Sequence, residues 1–338
     1  VFETFVIPAL AFHLAVIAPA FEDLVPTTGQ FHGVLNEFTL MDNVATKAPI
    51  INIKRNRKLL QRRDASCDLN YKKLMGATQR IIATEELYAA TQHCANGFYQ
   101  GSLKDWRNGD PLFGNKILPF FQEATVTDLA SNSYFGDVQR IETAAQEWST
   151  TKFDGIFKWC TTYLAAGVIP AAQSFAMPVA DMRANPATAY SVIKQLYDKQ
   201  PMLMKNLPAG EKAFYVSSPI DDGYKQYLRG LGEESSYIVE LYANGVKVSS
   251  YEGIPIYADP IWEPILFEIY GADKNAAILT IRGNLVFATD SKYGEGPELN
   301  EALMVWYERK DLSWYFQQFI KAGTQIALPE YVVFSLPA

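Results

Sequence analysis

The middle of this chain reads as capped helices, and beyond Tyr237 it reads almost wholly as strands. Elements grouped by type in this way argue for an α+β fold rather than alternating βαβ units. Strands are expected at 238–242, 247–251, 254–257, 278–288, 303–308 and 330–334, where β-branched and aromatic runs are bounded by turn formers. Asn244-Gly245, between the first two, is a strong hairpin signal.

Helices are expected at 113–133, 154–166, from 186 onward, and at 224–231. In the first, Ile117, Phe120, Phe121, Ala124 and Leu129 fall near one face, and Pro119 is placed in or near the first turn, where proline is tolerated. The second has Asp154 as its cap and Gly167 as its stop, with Pro170 beyond; Ile156, Trp159, Cys160, Tyr163 and Leu164 form its buried stripe. The third starts at Asn185-Pro186, and Ala189, Val192, Ile193, Leu196 and Tyr197 form its apolar face. Asp221-Asp222-Gly223 reads as a turn ahead of the fourth, with Asp222 as cap, and a short strand is expected at 214–217.

The first 41 residues carry no sustained period and are spaced by Pro8, Pro19 and Pro26, as in an extended arm. Their opening apolar stretch lacks a basic start and is interrupted, which fits neither a signal peptide nor a membrane span. Residues 47–73 are the basic part of the molecule. Lys54, Arg55, Arg57, Lys58, Arg62 and Arg63 are interleaved or flanked by apolar residues and followed by a second strand-like run from Gln79. A β-hairpin projecting from the body accounts for that pattern; a solvated face or a nucleic-acid contact are the other readings.

The chain has 338 residues, of which 49% are hydrophobic, enough for one large or two smaller cores. Its formal net charge of −7 excludes a general phosphate-gripping module. The 20 Phe, 19 Tyr and 6 Trp suit either a core or protein–protein contacts. Cys67, Cys94 and Cys160 are odd in number and far apart, so no disulfide framework is expected, and Cys160 reads as a small core residue.

The motifs of nucleotide loops, nucleophile elbows and zincins do not occur. The histidines are His13, His32 and His93, and apart from adjacent His93-Cys94 no two candidate ligands have finger-like spacing. The acidic pairs Glu85-Glu86, Asp221-Asp222 and Glu233-Glu234 are neighbours in sequence and point apart. A sugar-binding reading rests on Asp222 and on Trp106, Trp148 and Trp262 as platforms. No catalytic, cofactor or metal residue is assigned.

Taken in order, Tyr251-Glu-Gly-Ile-Pro-Ile256, Asn284-Leu-Val-Phe-Ala-Thr-Asp290 and Phe153-Asp154-Gly155-Ile156 resemble the major capsid proteins of tailed bacteriophages, most closely those of phages of Bacteroidetes, including crAss-like phages. The resemblance implies the HK97-type fold: an N-arm at 1–45, an E-loop at 46–96 with the basic cluster near its tip, P-domain helices including the spine helix at 97–170, an A-domain at 171–302, and a return to the P-domain sheet at 303–338. It further implies a non-enzymatic protein that assembles as hexamers and pentamers in an icosahedral head around double-stranded DNA. The implied partners are other copies, a portal, and decoration or head-fibre proteins, with no membrane. The implied location is the virion, with assembly in the bacterial cytoplasm. The basic cluster Lys54, Arg55, Arg57, Lys58, Arg62 and Arg63 would contact an acidic neighbouring subunit. Opening on Val1 accords either with removal of a leading segment, as in many members, or with trimming of disordered residues. An encapsulin-type nanocompartment shell shares the fold and is the alternative within it.

Overall fold

The computed structural model describes residues 37–55, 75–94, 112–142, 150–232, 238–240, 247–290, 303–308, 310–311 and 313–337. The chain first lays down β1 (Thr39–Met41), β2 (Lys47–Arg55), β3 (Met75–Ala83) and β4 (Glu85–Cys94). The helices α1 (Leu112–Phe135) and α2 (Ile156–Ala165) follow, then β5 (Ser174–Ala176), α3 (Pro186–Asp198), the short α4 (Met202–Lys205), β6 (Lys212–Ser217) and α5 (Ser218–Leu231). The last part holds β7 (Ile238–Glu240), β8 (Lys247–Tyr251), β9 (Ile254–Asp259), α6 (Trp262–Tyr270), β10 (Ala277–Ile281), β11 (Leu285–Thr289), β12 (Leu303–Glu308), β13 (Ser313–Ile326) and β14 (Val332–Leu336).

These strands form a seven-stranded mixed sheet, β5-β14-β10-β6-β9-β8-β7, a five-stranded sheet of β1, β11, β13, β12 and β4, and a two-stranded ribbon of β2 and β3. Strand β13 organises the five-stranded sheet. Its 14 residues pair with β4 along one edge, and with β12 and then β11 along the other.

The larger sheet is covered on both faces, which is why β6, β10 and β14 read as near-continuous apolar runs instead of alternating. On one face, Phe214, Val216, Ile254, Ile256 and Leu279 pack against Ala189, Val192, Ile193 and Leu196 of α3 and Tyr224 and Leu228 of α5. On the other, Tyr215, Ile278, Val332 and Phe334 join α2, α6, the end of α1 and Phe287 and Ile320 of the second sheet. At about 25 cal/mol per Å² of apolar surface, these interiors are the main stabilising term of the fold.

Several elements differ from expectation. The run 278–288 is two strands in different sheets, broken at Gly283, whose φ of +78° only glycine adopts without strain. The first helix is described from Leu112, so Pro119 lies past the first turn and removes a backbone donor inside the helix. Ala124, expected on the apolar face, is exposed, whereas residues 129–135 are buried all round. Ser131, Asn132 and Ser133 satisfy their polar groups there by bonding back to the carbonyls of Asp128 and Leu129.

Asp154 does not cap α2. The helix starts at Ile156 with Gly155 at its cap position, and Asp154 Oδ1 accepts the Val138 amide. The shift follows from packing: a side chain on Gly155 would lie 2.6 Å from Asn132 O, and one on Gly136 would lie 2.0 Å from Phe153 O. The end of α1 and the start of α2 thus meet backbone to backbone. Asn185 precedes α3 without a side-chain cap bond; its amide donates to Asp181 O instead. Asp221-Asp222-Gly223 is not a turn, because α5 begins earlier, at Ser218. Helix α6 and strand β13 have no counterpart among the expected elements.

Candidate assembly surfaces

The ribbon pairs β2 with β3 from Lys47↔Ala83 at its root to Arg55↔Met75. Nine residues at about 3.4 Å each make it roughly 30 Å long. Its root is fixed by polar bonds beside a small apolar cluster. At Thr84 the chain passes from the ribbon into β4, and Thr84 donates its amide to Thr46 O and its hydroxyl to Val44 O. Gly323 of β13 lies directly beneath this switch; a β-carbon there would stand 1.9 Å from Ala83 O.

Four further side chains tie the ribbon to the body, from its root to beyond its middle. Asn52 Nδ2 and Arg80 Nη1 both donate to Ala327 O, at 2.6 and 2.8 Å. Arg80 also lies over the Tyr163 ring and pairs with Glu330 at 3.7 Å. Gln325 Nε2 donates to Ile81 O, and Lys321 Nζ donates to Ala45 O and pairs with Glu86 at 3.2 Å.

The two faces of the ribbon differ. Ala48, Ile50 and Ile82 turn inward onto Val44, Val286 and Ala288. Ile51 and Ile81 point the other way and are 62% and 56% exposed; Tyr88 on β4 is 73% exposed. A two-stranded ribbon that keeps large apolar side chains in water is short of partners by itself. Of the basic cluster, Lys54 and Arg55 end β2, the far end of this ribbon, while Arg57, Lys58, Arg62 and Arg63 lie outside the described residues. Exposure of Ile51 and Ile81 was not read from sequence; alternation with Asn52 and Arg80 would have turned both isoleucines inward, because it is those two polar side chains that the body receives.

Of the groups named for sugar binding, Trp106 and Trp148 lie outside the described residues, and Trp262 and Asp222 are engaged elsewhere. Trp262 is only 1% exposed and packs edge-on against Tyr134, Phe135 and Phe157, so it is no platform. Asp222 accepts Arg183 Nε at 2.8 Å, and the same guanidinium grips both oxygens of Glu263 at 2.7 and 2.9 Å. That fork holds the loop before α3 to α5 and α6, and the two carboxylates push the already basic Arg183 higher still. Among the described residues no group of three or more His, Cys, Asp or Glu is arranged to hold a metal ion. No described helix is long and apolar enough to cross a membrane.

Where β1 meets the body, one acid, Asp259, is buried and another, Glu37, is half-buried. The hydroxyl of Tyr134, near the end of α1, bonds Glu37 Oε2. Phe38 is wedged between the rings of Tyr134 and Phe287, 5.1 and 6.3 Å away. Asp259, at the end of β9, accepts the Ile261 amide with Oδ1 at 2.9 Å, while its Oδ2 and the Trp262 indole nitrogen complete no hydrogen bond among the described residues. Burial pushes Asp259 up to about 7, partly offset by the Ile261 amide and the nearby indole. Burial likewise holds Glu37 well above the usual carboxylate range, the Tyr134 hydroxyl acting against it and Asp259 with it.

No family model and no curated protein matches this chain. Solved shell structures do match it in three dimensions. The chain has the HK97-type fold, the α+β architecture of tailed-phage capsid subunits. It superposes on the satellite phage P4 procapsid with a TM-score of 0.57 at 10% identity, covering 94% of this chain and 98% of that one. It is similar to a chain of Mycobacterium phage Bobi (TM-score 0.53, 11% identity, 94% of each chain) and to an encapsulin complex from Synechococcus elongatus (TM-score 0.51, 10% identity, 94% of each chain).

Proposed function

We propose that this chain is the major capsid protein of a tailed bacteriophage, a non-enzymatic subunit that assembles as hexamers and pentamers into an icosahedral head around double-stranded DNA. The observation that carries this is the match in fold to a phage procapsid subunit along nearly the whole length of both chains. The exposed apolar face of the ribbon supports it, because that face gains a partner only when subunits meet. In this reading 1–45 is the N-arm, 46–96 the E-loop, 97–170 the P-domain helices with α1 as spine, 171–302 the A-domain and 303–338 the return. Lys54, Arg55, Arg57, Lys58, Arg62 and Arg63 meet acidic surface on an adjacent subunit and fix register through charge complementarity. The order of the motifs supports a place among phages of Bacteroidetes, including crAss-like phages. The partners are other copies, a portal and decoration or head-fibre proteins, with packaged DNA enclosed without sequence readout. The protein resides in the virion and assembles in the host cytoplasm.

An encapsulin-type nanocompartment is the second reading, supported by the likeness to the Synechococcus shell. Sedimentation velocity with negative-stain electron microscopy tests both. Shells or rings of five or six subunits are expected, and nucleic acid inside them separates a virion from an enzyme container. A compact monomer that never assembles, even with a scaffold supplied, would overturn both.

A further inference from the structure

The junction of Glu37, Tyr134, Asp259 and Trp262 is costly as a structural tie. A buried carboxyl, Asp259, and a half-buried one, Glu37, belong to one largely apolar junction, among groups from four directions. The segment entering β1 supplies Glu37 and Phe38, α1 supplies Tyr134, and β6 supplies Tyr215. The β9–α6 turn supplies Asp259 and Trp262. The Tyr134 hydroxyl is itself pushed up, by burial first and then by Glu37, Tyr215 and Asp259, so it stays protonated and serves as a donor. A single proton donor of this kind solvates one carboxylate poorly. Asp259 Oδ2 faces only the nearby Trp262 indole, with which it completes no hydrogen bond of normal geometry. An unpaired buried charge is strongly destabilising, whereas a neutral carboxyl in the same place is tolerated.

We propose that Glu37 and Asp259 form a proton-operated latch. With both carboxyls neutral, it holds the Glu37–Phe38 segment, and β1 with it, against the end of α1 and the β9–α6 turn; loss of the protons releases that segment. The position gives the latch its leverage. Glu37 precedes β1, which pairs in parallel with β11 of the five-stranded sheet. Asp259 ends β9 of the seven-stranded sheet, and Tyr134 closes the long helix between them. One proton equilibrium therefore acts where both sheets and α1 meet.

The direction follows from where each state ionises. An unfolded chain loses these protons from about pH 4 upward, but the folded chain keeps the Asp259 proton to about 7 and that of Glu37 well above its usual range. The stabilisation is complete below about pH 4 and is lost as pH rises through about 7. Alkaline conditions open the latch and mildly acidic conditions close it. The latch stands whether or not the chain builds shells, because it lies within one subunit.

The test compares the purified full chain with Asp259→Asn and Glu37→Gln, each a neutral isostere of the closed state. Denaturant melts are taken from about pH 5 to 8, and brief proteolysis across the same range is mapped by mass spectrometry. Relative to D259N, the folding constant of the parent chain is expected to fall on the order of a hundredfold over that range. Cleavage near residues 37–44 is expected to rise with pH in the parent chain and to rise less in D259N, where only Glu37 still titrates. Parallel pH profiles for the parent and both variants would overturn the latch. So would failure of both variants to fold, since neutral side chains would then not satisfy the site.

Discussion

Asn284 shows how much of this architecture rests on single side chains. It is 1% exposed and sits at the corner where the chain leaves one sheet for the other. Its amide donates to Thr280 Oγ1 and Leu328 O, its Oδ1 accepts the Leu328 amide at 2.6 Å, and its carbonyl accepts the Ala327 amide. Replacing it with alanine strands buried backbone groups at about 1–3 kcal/mol each. Asn284→Ala is expected to lower the denaturation midpoint clearly while leaving its denaturant slope unchanged, which a urea melt checks. Gly155→Ala has a steric cause instead, since its new methyl group meets backbone on three sides. Loss of soluble folded protein is the expected outcome, read by yield and circular dichroism. A Gly155→Ala variant as stable as the parent would mean that the α1–α2 junction yields more readily than its geometry suggests.

Among elements, the ribbon is the one whose stability depends on its neighbours. Ile51→Glu with Ile81→Glu leaves every root bond in place and removes only the exposed apolar face. The expected result is an unchanged monomer melt with impaired assembly, measured by sedimentation. Charge reversal at Arg62 and Arg63 is expected to weaken assembly most at low salt and little at high salt, because surface charge is screened; light scattering against ionic strength reads this. The ribbon was legible because Pro49 to Ile53 and Arg80 to Ile82 are β-prone runs on either side of a polar, basic stretch. The capped helix α2 was legible because Gly167 and Pro170 punctuate it. Helix α6 was hidden because Ile254 to Tyr270 is largely apolar, broken only by Asp259, Glu263 and Glu268 among prolines that suggest a loop. The helical spacing of Trp262, Ile265 and Leu266 is too short a pattern to distinguish it from the strand before it. Strand β13 was hidden by its polar residues. Gln318, Lys321, Thr324 and Gln325 are buried there because side-chain and backbone partners from other elements receive most of them, which a strand's own sequence does not reveal. The acids at the α1 junction were invisible for a related reason, since Glu37 and Asp259 are far apart in the chain and meet only through the fold.

For the whole molecule, Cys160 offers a probe of cooperativity. It is fully buried in the interior that joins α2 to both sheets, and burial pushes its thiol far above the ordinary range. In a background with Cys67 and Cys94 replaced by serine, a thiol reagent is expected to label Cys160 only as fast as the whole subunit unfolds. Labelling faster than global unfolding, judged against circular dichroism, would show that α2 opens by itself. The place of β14 bears on how a cell makes this protein. Lying between β5 and β10, it follows in the chain every strand it joins. Until Val332 to Leu336 leave the ribosome, the larger sheet is split in two, with two bare edges facing a gap. Each nascent chain is thus kept from completing its fold, and from meeting other copies in finished form, until its translation has passed that point.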